Sequence, residues 1–258
     1  MNILFLGDVI GRPGREAVAA KLPAFRRFQA IDLCIANGEN SADGNGVTRE
    51  SAEELFSAGV DVLTGGNHTF RRREAYDYIA QAPYLIRPAN ISPAAPGKGV
   101  CVYDMGSHAV AVMNLVGASY MDPCDNPFRK ADELLAALDP FIKTVVVDFH
   151  AETTGEKRAL AEYLAGRVSA VVGTHTHVQT ADECVLDGGT AFITDAGMCG
   201  PVDSVLGVKK ELAIGFMLDR MPVRFAVADG ETALNGVIIR VDEKTGKAES
   251  IERIRLAV

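Results

Sequence analysis

The sequence predicts an α/β fold in which two mixed β-sheets pack together with helices outside. Two patterns point to it. In the first half, short apolar runs alternate with helical stretches across short connections, as in parallel strands joined by crossover helices. In the middle and toward the C-terminal end, the runs pair across tight turns, as antiparallel hairpins do. No repeat, low-complexity tract or long linker interrupts the 258 residues, so one domain spanning 1–258 is expected.

Residues 2–6 form the first strand, and Gly11-Arg12-Pro13-Gly14 turns the chain into a helix over 15–28. A buried strand at 32–36 follows, then a Gly- and Asn-rich loop at 37–46 and a helix at 49–58. A third strand occupies 61–64, with a helix near 72–81 after its loop. Residues 98–103 and 108–115 flank Asp104-Met105-Gly106-Ser107 and read as a hairpin. A helix at 129–138 precedes two apolar strands, 144–149 and 169–172, which are separated by a helix at 156–166. Hairpin-like strands are expected at 191–194, 223–227, 235–241 and 248–254, the last two joined by the turn 242–246.

Composition excludes several classes. With 48% hydrophobic and 23% charged residues, the chain is neither a disordered polyampholyte nor a membrane protein, and no apolar run approaches the ~18 residues a span requires. The formal net charge of −8 argues against duplex DNA held on a broad basic face. Residues 1–8 have no basic region and lose their apolar character at Asp8, so a signal peptide is not expected there. Five cysteines, odd in number and without CxxC spacing, suit a reducing cytoplasm and do not suggest metal ligation. A chain of this length buries roughly 70–75% of its unfolded surface, so any metal it holds is expected to serve chemistry rather than folding.

Open α/β sheets place ligands outside the carboxyl ends of their strands. Here those ends carry Asp8, Glu39 with Asn40, Asn67 with His68, His150, and His175-Thr176-His177. Each alone has an ordinary explanation: Asp8 caps a turn, Gly38, Gly44 and Gly46 supply positive φ in a loop, and His150 is a satisfied core histidine. Together they are harder to dismiss, because four of the five histidines stand at these ends. Carboxylate, amide and imidazole donors from separate segments suit a hard-to-borderline divalent metal. Asp8, Glu39, Asn40, Asn67, His150, His175 and His177 exceed what one tetrahedral ion needs and match two ions sharing Glu39. His175 and His177 are two apart, so extended backbone would turn both side chains the same way. His108 lies at a hairpin turn and is expected in solvent.

Five stretches carry a resemblance: Leu6-Gly7-Asp8-Val9-Ile10-Gly11-Arg12-Pro13-Gly14-Arg15, Ala36-Asn37-Gly38-Glu39-Asn40, Gly65-Gly66-Asn67-His68, Asp148-Phe149-His150-Ala151-Glu152 and Gly173-Thr174-His175-Thr176-His177. In order and spacing they resemble the calcineurin-like metallophosphoesterase superfamily, most closely its bacterial YmdB-type branch, over nearly the whole chain. Gly200-Pro201-Val202-Asp203-Ser204-Val205 with Lys209-Lys210-Glu211 resembles that branch as well. One departure stands out: the superfamily's histidine two residues after the first aspartate is Ile10 here, and Asn40 is the substitute ligand.

The resemblance implies a four-layer α/β/β/α sandwich and two divalent ions, iron or manganese, with zinc also admissible. One ion would take Asp8, Glu39, Asn40 and His177, the other Glu39, Asn67, His150 and His175, with Glu39 bridging. It further implies phosphodiesterase activity, including on 2′,3′-cyclic nucleotides, by attack of a metal-bridging hydroxide with His68 as general acid. The expected partner is a small phosphoester or nucleotide. Arg12 and Arg15 stand within reach of a substrate phosphate or ribose, whereas Arg71, Arg72 and Arg73 read as a solvated basic face.

Two other functions remain open. One is a metal-binding regulatory protein with little turnover, since ligands do not reveal rates; the other is a phosphomonoesterase, since the same centre cleaves both ester classes. A nucleotide-binding module on Gly7, Gly11 and Gly14 departs from GxGxxG spacing and leaves the histidines unexplained. The apolar segment 212–218 suits an interface between copies in a homo-oligomer or, as expected here, a core helix.

Overall fold

In the computed structural model, which describes residues 1–258, the first apolar run becomes the strand β1 (Asn2–Val9). Helix α1 (Gly11–Phe28) starts four residues earlier than the sequence suggested, with Pro13 in its first turn, where a missing N–H costs nothing. Strand β2 (Leu33–Asn37) and helix α2 (Arg49–Ser57) follow, and Thr48 and Ser51 cap α2 reciprocally. Strand β3 (Val62–Thr64) then leads through the 3₁₀ turn Arg73–Ala75 into α3 (Tyr76–Gln81).

Strands β4 (Val100–Asp104) and β5 (Ala109–Val116) form the expected antiparallel hairpin. After α4 (Pro127–Ala137), capped by Asn126, come β6 (Thr144–His150), α5 (Thr154–Leu164) and β7 (Ala170–Thr174). The remaining elements are β8 (Cys184–Leu186), β9 (Thr190–Ile193), β10 (Met198–Pro201), α6 (Lys210–Asp219), β11 (Thr232–Val241) and β12 (Ala248–Ala257).

Two six-stranded sheets result, ordered β12-β11-β10-β1-β2-β3 and β4-β5-β6-β7-β9-β8. Side chains alternate between faces along each strand. Ile3 and Phe5 of β1 therefore meet Val112, Val146 and Ile193 in the core between the sheets, while Leu4 and Leu6 face Val18, Leu22 and Leu55 of the helices. On the other side, Val147 and Phe149 pack against Leu160 and Leu164 of α5. The four layers expected are present. No helix is long and apolar enough to cross a membrane.

Strand β1 changes neighbour along its length. Asn2 to Leu6 pair antiparallel with β11, whereas Asp8 and Val9 pair parallel with β10. Gly7 sits at the changeover, where a Cβ would collide with the Gly197 carbonyl.

Four expectations need correction. Strands β8 and β10 are too short to stand out as apolar runs. Residues 223–227 form no strand: Arg220 ends α6 in a left-handed cap, Pro222 lacks a donor, and only Val227 bridges to Val208. The 212–218 segment is helical but not core, because α1 and α2 already cover the first sheet; Ile214, Met217 and Leu218 are exposed and only Ala213 is buried. His108 is largely covered, with Ser107 Oγ 2.9 Å from its Nδ1 and Glu243 of the β11–β12 turn 3.8 Å away.

Candidate metal centre

The changeover in β1 fixes the first ligand candidate. The Asp8 N–H donates to Gly197 O at 3.0 Å, and Oδ2 accepts from the His175 N–H at 3.0 Å. Oδ1, wholly buried, has no hydrogen-bond partner; His177 Nε2 lies 3.7 Å away and His150 Nδ1 3.9 Å.

Glu39 and Asn40 stand just past β2. Glu39 Oε2 accepts from the His68 N–H at 2.7 Å, and Oε1 accepts from Asn40 Nδ2 at 3.0 Å. His68 Nδ1 lies 3.2 Å and His150 Nε2 3.3 Å from the same Oε1. Gly66 leaves the room for this approach, since a Cβ there would land on the Glu39 carboxylate and the His150 ring. Asn67 directs Oδ1 to within 3.0 Å of His150 Nε2, and His175 Nδ1 is 3.1 Å from that nitrogen. Glu39, His150 and His175 thus bring ligand atoms within 4.8 Å of one another.

Beneath them a buried network selects the His150 tautomer. Thr174 donates its one hydroxyl proton to Asp148 Oδ1 at 2.7 Å, so at 2.9 Å the same oxygen accepts from His150 Nδ1–H. Nε2 is then the nitrogen that faces Glu39, Asn67 and His175. Asp148 is also held by Asn37 Nδ2 at 3.0 Å and by Thr64, which ties both sheets to one carboxylate. Burial pushes Asp148 up to about 6, against the pull of His150 and three hydrogen bonds.

His175 and His177 reach the site by a route the sequence did not suggest. Neither is extended: their φ values are 99° and 65°, and the turn sends His175 toward His150 and His177 toward Asn40, whose Nδ2 is 3.3 Å from His177 Nε2. Asp195 holds this turn. Its Oδ2 accepts from Thr176 N at 3.0 Å, Thr176 Oγ1 at 2.8 Å and the buried Lys157 Nζ at 2.8 Å. Oδ1 accepts from the Gly197 N–H at 2.8 Å, the residue that also anchors Asp8. His177 Nδ1 lies 2.9 Å from Leu206 O.

Two further groups approach from the solvent side. Glu152 Oε2 lies 3.0 Å from His175 Nε2 and orients that ring with Nδ1 inward. His68 Nδ1 is 2.8 Å from Asn40 Oδ1, and its partly exposed ring lines the cavity. In this arrangement Asn40 gives its nitrogen to His177 and its oxygen to His68, and a half-turn of the amide exchanges them.

The charges describe a pocket that holds protons when no cation is present. Burial alone would pull His150 down, but Glu39, Asp8 and Asp148 raise it to about 9. Burial and then the His150 charge lower His175 to about 3, so it stays neutral. Burial raises Asp8; burial also pushes Glu39 up, yet His150 and the hydrogen bonds from His150 and His68 hold it well below the usual carboxylate range. A bare buried carboxylate oxygen beside converging imidazole, amide and carboxylate acceptors is the donor set of a divalent cation site. The residues present fit such a cation.

All seven proposed ligands and His68 therefore converge at the carboxyl ends of the strands. Arg15 does not join them; it donates to Ser41 O and pairs with Glu54. Arg12, expected near substrate, lines the cavity above the cluster, and so do Arg71 and Arg72, for which a solvated basic face was the favoured reading over substrate contact. Sequence reasoning gave no role to Asp148, Glu152 and Thr174, although they stand in the stretches that carry the resemblance, and it missed Lys157 and Asp195. A carboxylate between Val147 and Phe149 in an apolar strand was the available signal for Asp148.

A family model for YmdB-like proteins matches residues 4–254. A 2′,3′-cyclic-nucleotide 2′-phosphodiesterase of Bacillus subtilis (strain 168) is 48% identical over 254 residues, covering 98% of this chain and 96% of that protein. A crystal structure of a phosphatase from Mycoplasma pneumoniae superposes with a TM-score of 0.93 at 36% identity, covering 100% of this chain and 93% of that one. The calcineurin-like phosphoesterase YfkN of Bacillus subtilis shares the fold, with a TM-score of 0.57 at 12% identity over 100% of this chain and 90% of that one.

Proposed function

The chain belongs to the YmdB-like protein family, and on that premise we propose that it hydrolyses phosphodiesters, 2′,3′-cyclic nucleotides foremost, at a dinuclear metal centre. Asp8, Glu39, Asn40 and His177 would hold one ion, and Glu39, Asn67, His150 and His175 the other, iron or manganese ahead of zinc. The observation that carries this reading is the convergence of Glu39, His150 and His175 beside the unpartnered Asp8 Oδ1. Residues 1–258 act as one domain in this reading, and five unpaired cysteines support a cytoplasmic setting.

When bound, such ions supply Lewis-acid activation of water and neutralise phosphoryl charge. The residues do the rest. Water adds to phosphorus, the bond to O2′ breaks, and a nucleoside 3′-phosphate remains. His68 is the proton donor for the departing O2′: its Nδ1 is turned inward toward Asn40 and Glu39, which leaves Nε2 for the leaving oxygen. Thr174 and Glu152 keep the His150 and His175 rings turned so that Nε2 and Nδ1 face inward. Arg12, Arg71 and Arg72 line the mouth of the cavity, where their guanidinium groups stand beside the carboxylates of Glu16, Asp122 and Asp43.

The test is hydrolysis of bis-p-nitrophenyl phosphate beside the monoester, with protein purified in Mn²⁺ or Fe²⁺ and a chelated control. Chelator-sensitive diester cleavage is expected. Bound metal without turnover would favour a regulatory metal-binding protein, and preferential monoester cleavage a phosphomonoesterase.

A further inference from the structure

The cavity over the metal cluster is far larger than a phosphodiester needs. It measures about 1290 Å³ and runs from Glu39, His68, His175 and His177 to an apolar wall formed by Leu206, Val208, Val223, Phe225 and Val227. Typical small-molecule pockets enclose ~300–1,000 Å³. We propose that this wall is a nucleobase subsite and that Phe225 is its stacking face. The subsite rests on the phosphodiesterase reading above.

Three observations carry it. The wall is built onto the metal site, because Leu206 O lies 2.9 Å from Nδ1 of the ligand candidate His177. The next residues of that loop hold the strap: the Ala228 N–H donates to Gly207 O at 2.9 Å, the Lys209 N–H to Ala226 O at 3.0 Å, and Val208 bridges Val227. A base docked there is therefore placed relative to the reacting phosphate by the same backbone that places a ligand.

Phe225 itself is fixed but not covered. Phe216 of α6 meets it edge to face, with centroids 5.6 Å apart and planes at 79°, yet 49% of the residue stays exposed. A ring held on one side and bare toward a cavity is the arrangement stacking requires. This also gives a reason for the residues 223–227 to be an open strap rather than a paired strand: pairing on both edges would leave no concave face.

One unpaired cation bears on the occupant. Arg12, Arg71, Arg72 and Arg224 line the same cavity as the apolar wall, with Glu39, Asp43, Glu152 and Asp229 beside them; Arg12, Arg71 and Arg72 are paired with Glu16, Asp122 and Asp43. Arg224, next to Phe225 and without an ion-pair partner, sets a cation beside the flat apolar face, which suits an aromatic ring carried on an anion.

The experiment compares kcat/KM for adenosine 2′,3′-cyclic phosphate with that for methyl riboside 2′,3′-cyclic phosphate, the same ester without a base, using Mn²⁺-loaded protein. Phe225→Ala and Phe225→Leu are each expected to lower the ratio about tenfold, chiefly through KM of the nucleotide. An unchanged ratio overturns the subsite. Wild-type protein that cleaves neither ester would overturn the phosphodiesterase reading instead, and binding then decides the subsite alone. Because the chain has no tryptophan, Phe225→Trp supplies a single fluorophore on the wall. Adenosine 3′-phosphate is expected to quench its emission, and ribose phosphate or inorganic phosphate to leave it unchanged; equal response to all three overturns the proposal.

Discussion

Lys157 Nζ and Asp195 Oδ2 lie 2.8 Å apart with both side chains wholly buried, and the same carboxylate oxygen secures Thr176 between the two left-handed histidines. Through Thr176 the pair holds the turn that carries His175 and His177. Removing one partner strands a buried charge, which costs about 3–5 kcal/mol. Lys157→Met should lose stability of that order in urea denaturation. The neutral pair Lys157→Met with Asp195→Asn should recover much of it yet bind Mn²⁺ more weakly by titration calorimetry, since Thr176 loses its charged acceptor. Wild-type Mn²⁺ affinity in the double variant would show that the pair serves stability alone.

His68 and the ligand candidates should separate by metal content. His68→Ala is expected to keep both ions and lose about 10²–10⁴ of turnover. Asp8→Ala and Glu39→Ala are expected to lose metal itself. Elemental analysis beside rate measurements checks this, and metal-free His68→Ala would place His68 among the ligands.

Metal binding should strengthen as pH rises. With no cation present, His150 has a pKa raised to about 9 by Glu39, Asp8 and Asp148, which overcome the opposing effect of burial. At neutral pH its proton must leave when a cation takes Nε2, so affinity climbs with pH until that proton is already gone near 9. Calorimetry in buffers of different ionisation enthalpy should show proton release at pH 7. Affinity that falls between pH 6 and 8 would contradict the assignment of His150 as a ligand.

Thr174→Val removes a hydroxyl without changing shape. His150 Nδ1–H then loses its acceptor and Asp148 loses a donor. Losses of this kind lower metal affinity about 10–100-fold. A metal titration of the variant, with its melting temperature as control, measures the effect; unaltered affinity would mean that the Thr174 hydroxyl does not orient the ring.

The sequence made the ligand inventory legible because strand ends are easy to find when apolar runs stop at Asp8, His150 and His175. The geometry that makes those residues a site was harder to see. Extended backbone at His175 and His177 was a reasonable expectation from spacing, but the turn depends on Asp195, contributed from a loop after β9, and no local pattern announces such a partner. Residues 212–218 and 223–227 misled for a related reason. Hydrophobicity marked them for burial, whereas α1 and α2 already fill the layer that 212–218 would have packed into, and the Arg220 cap and Pro222 keep 223–227 out of a sheet.

Asp8, Glu39 and Asn67 come from the ends of the first sheet, and His150, His175 and His177 from the second. The centre therefore works as a gauge of alignment between the two halves of the sandwich. Because packed interiors deform little, a bulky substitution in the shared core, at Phe5 or Val146 for instance, would be felt at the mouth as a mismatch of ligand positions. Metal occupancy would then register sliding of one sheet over the other before unfolding is detectable.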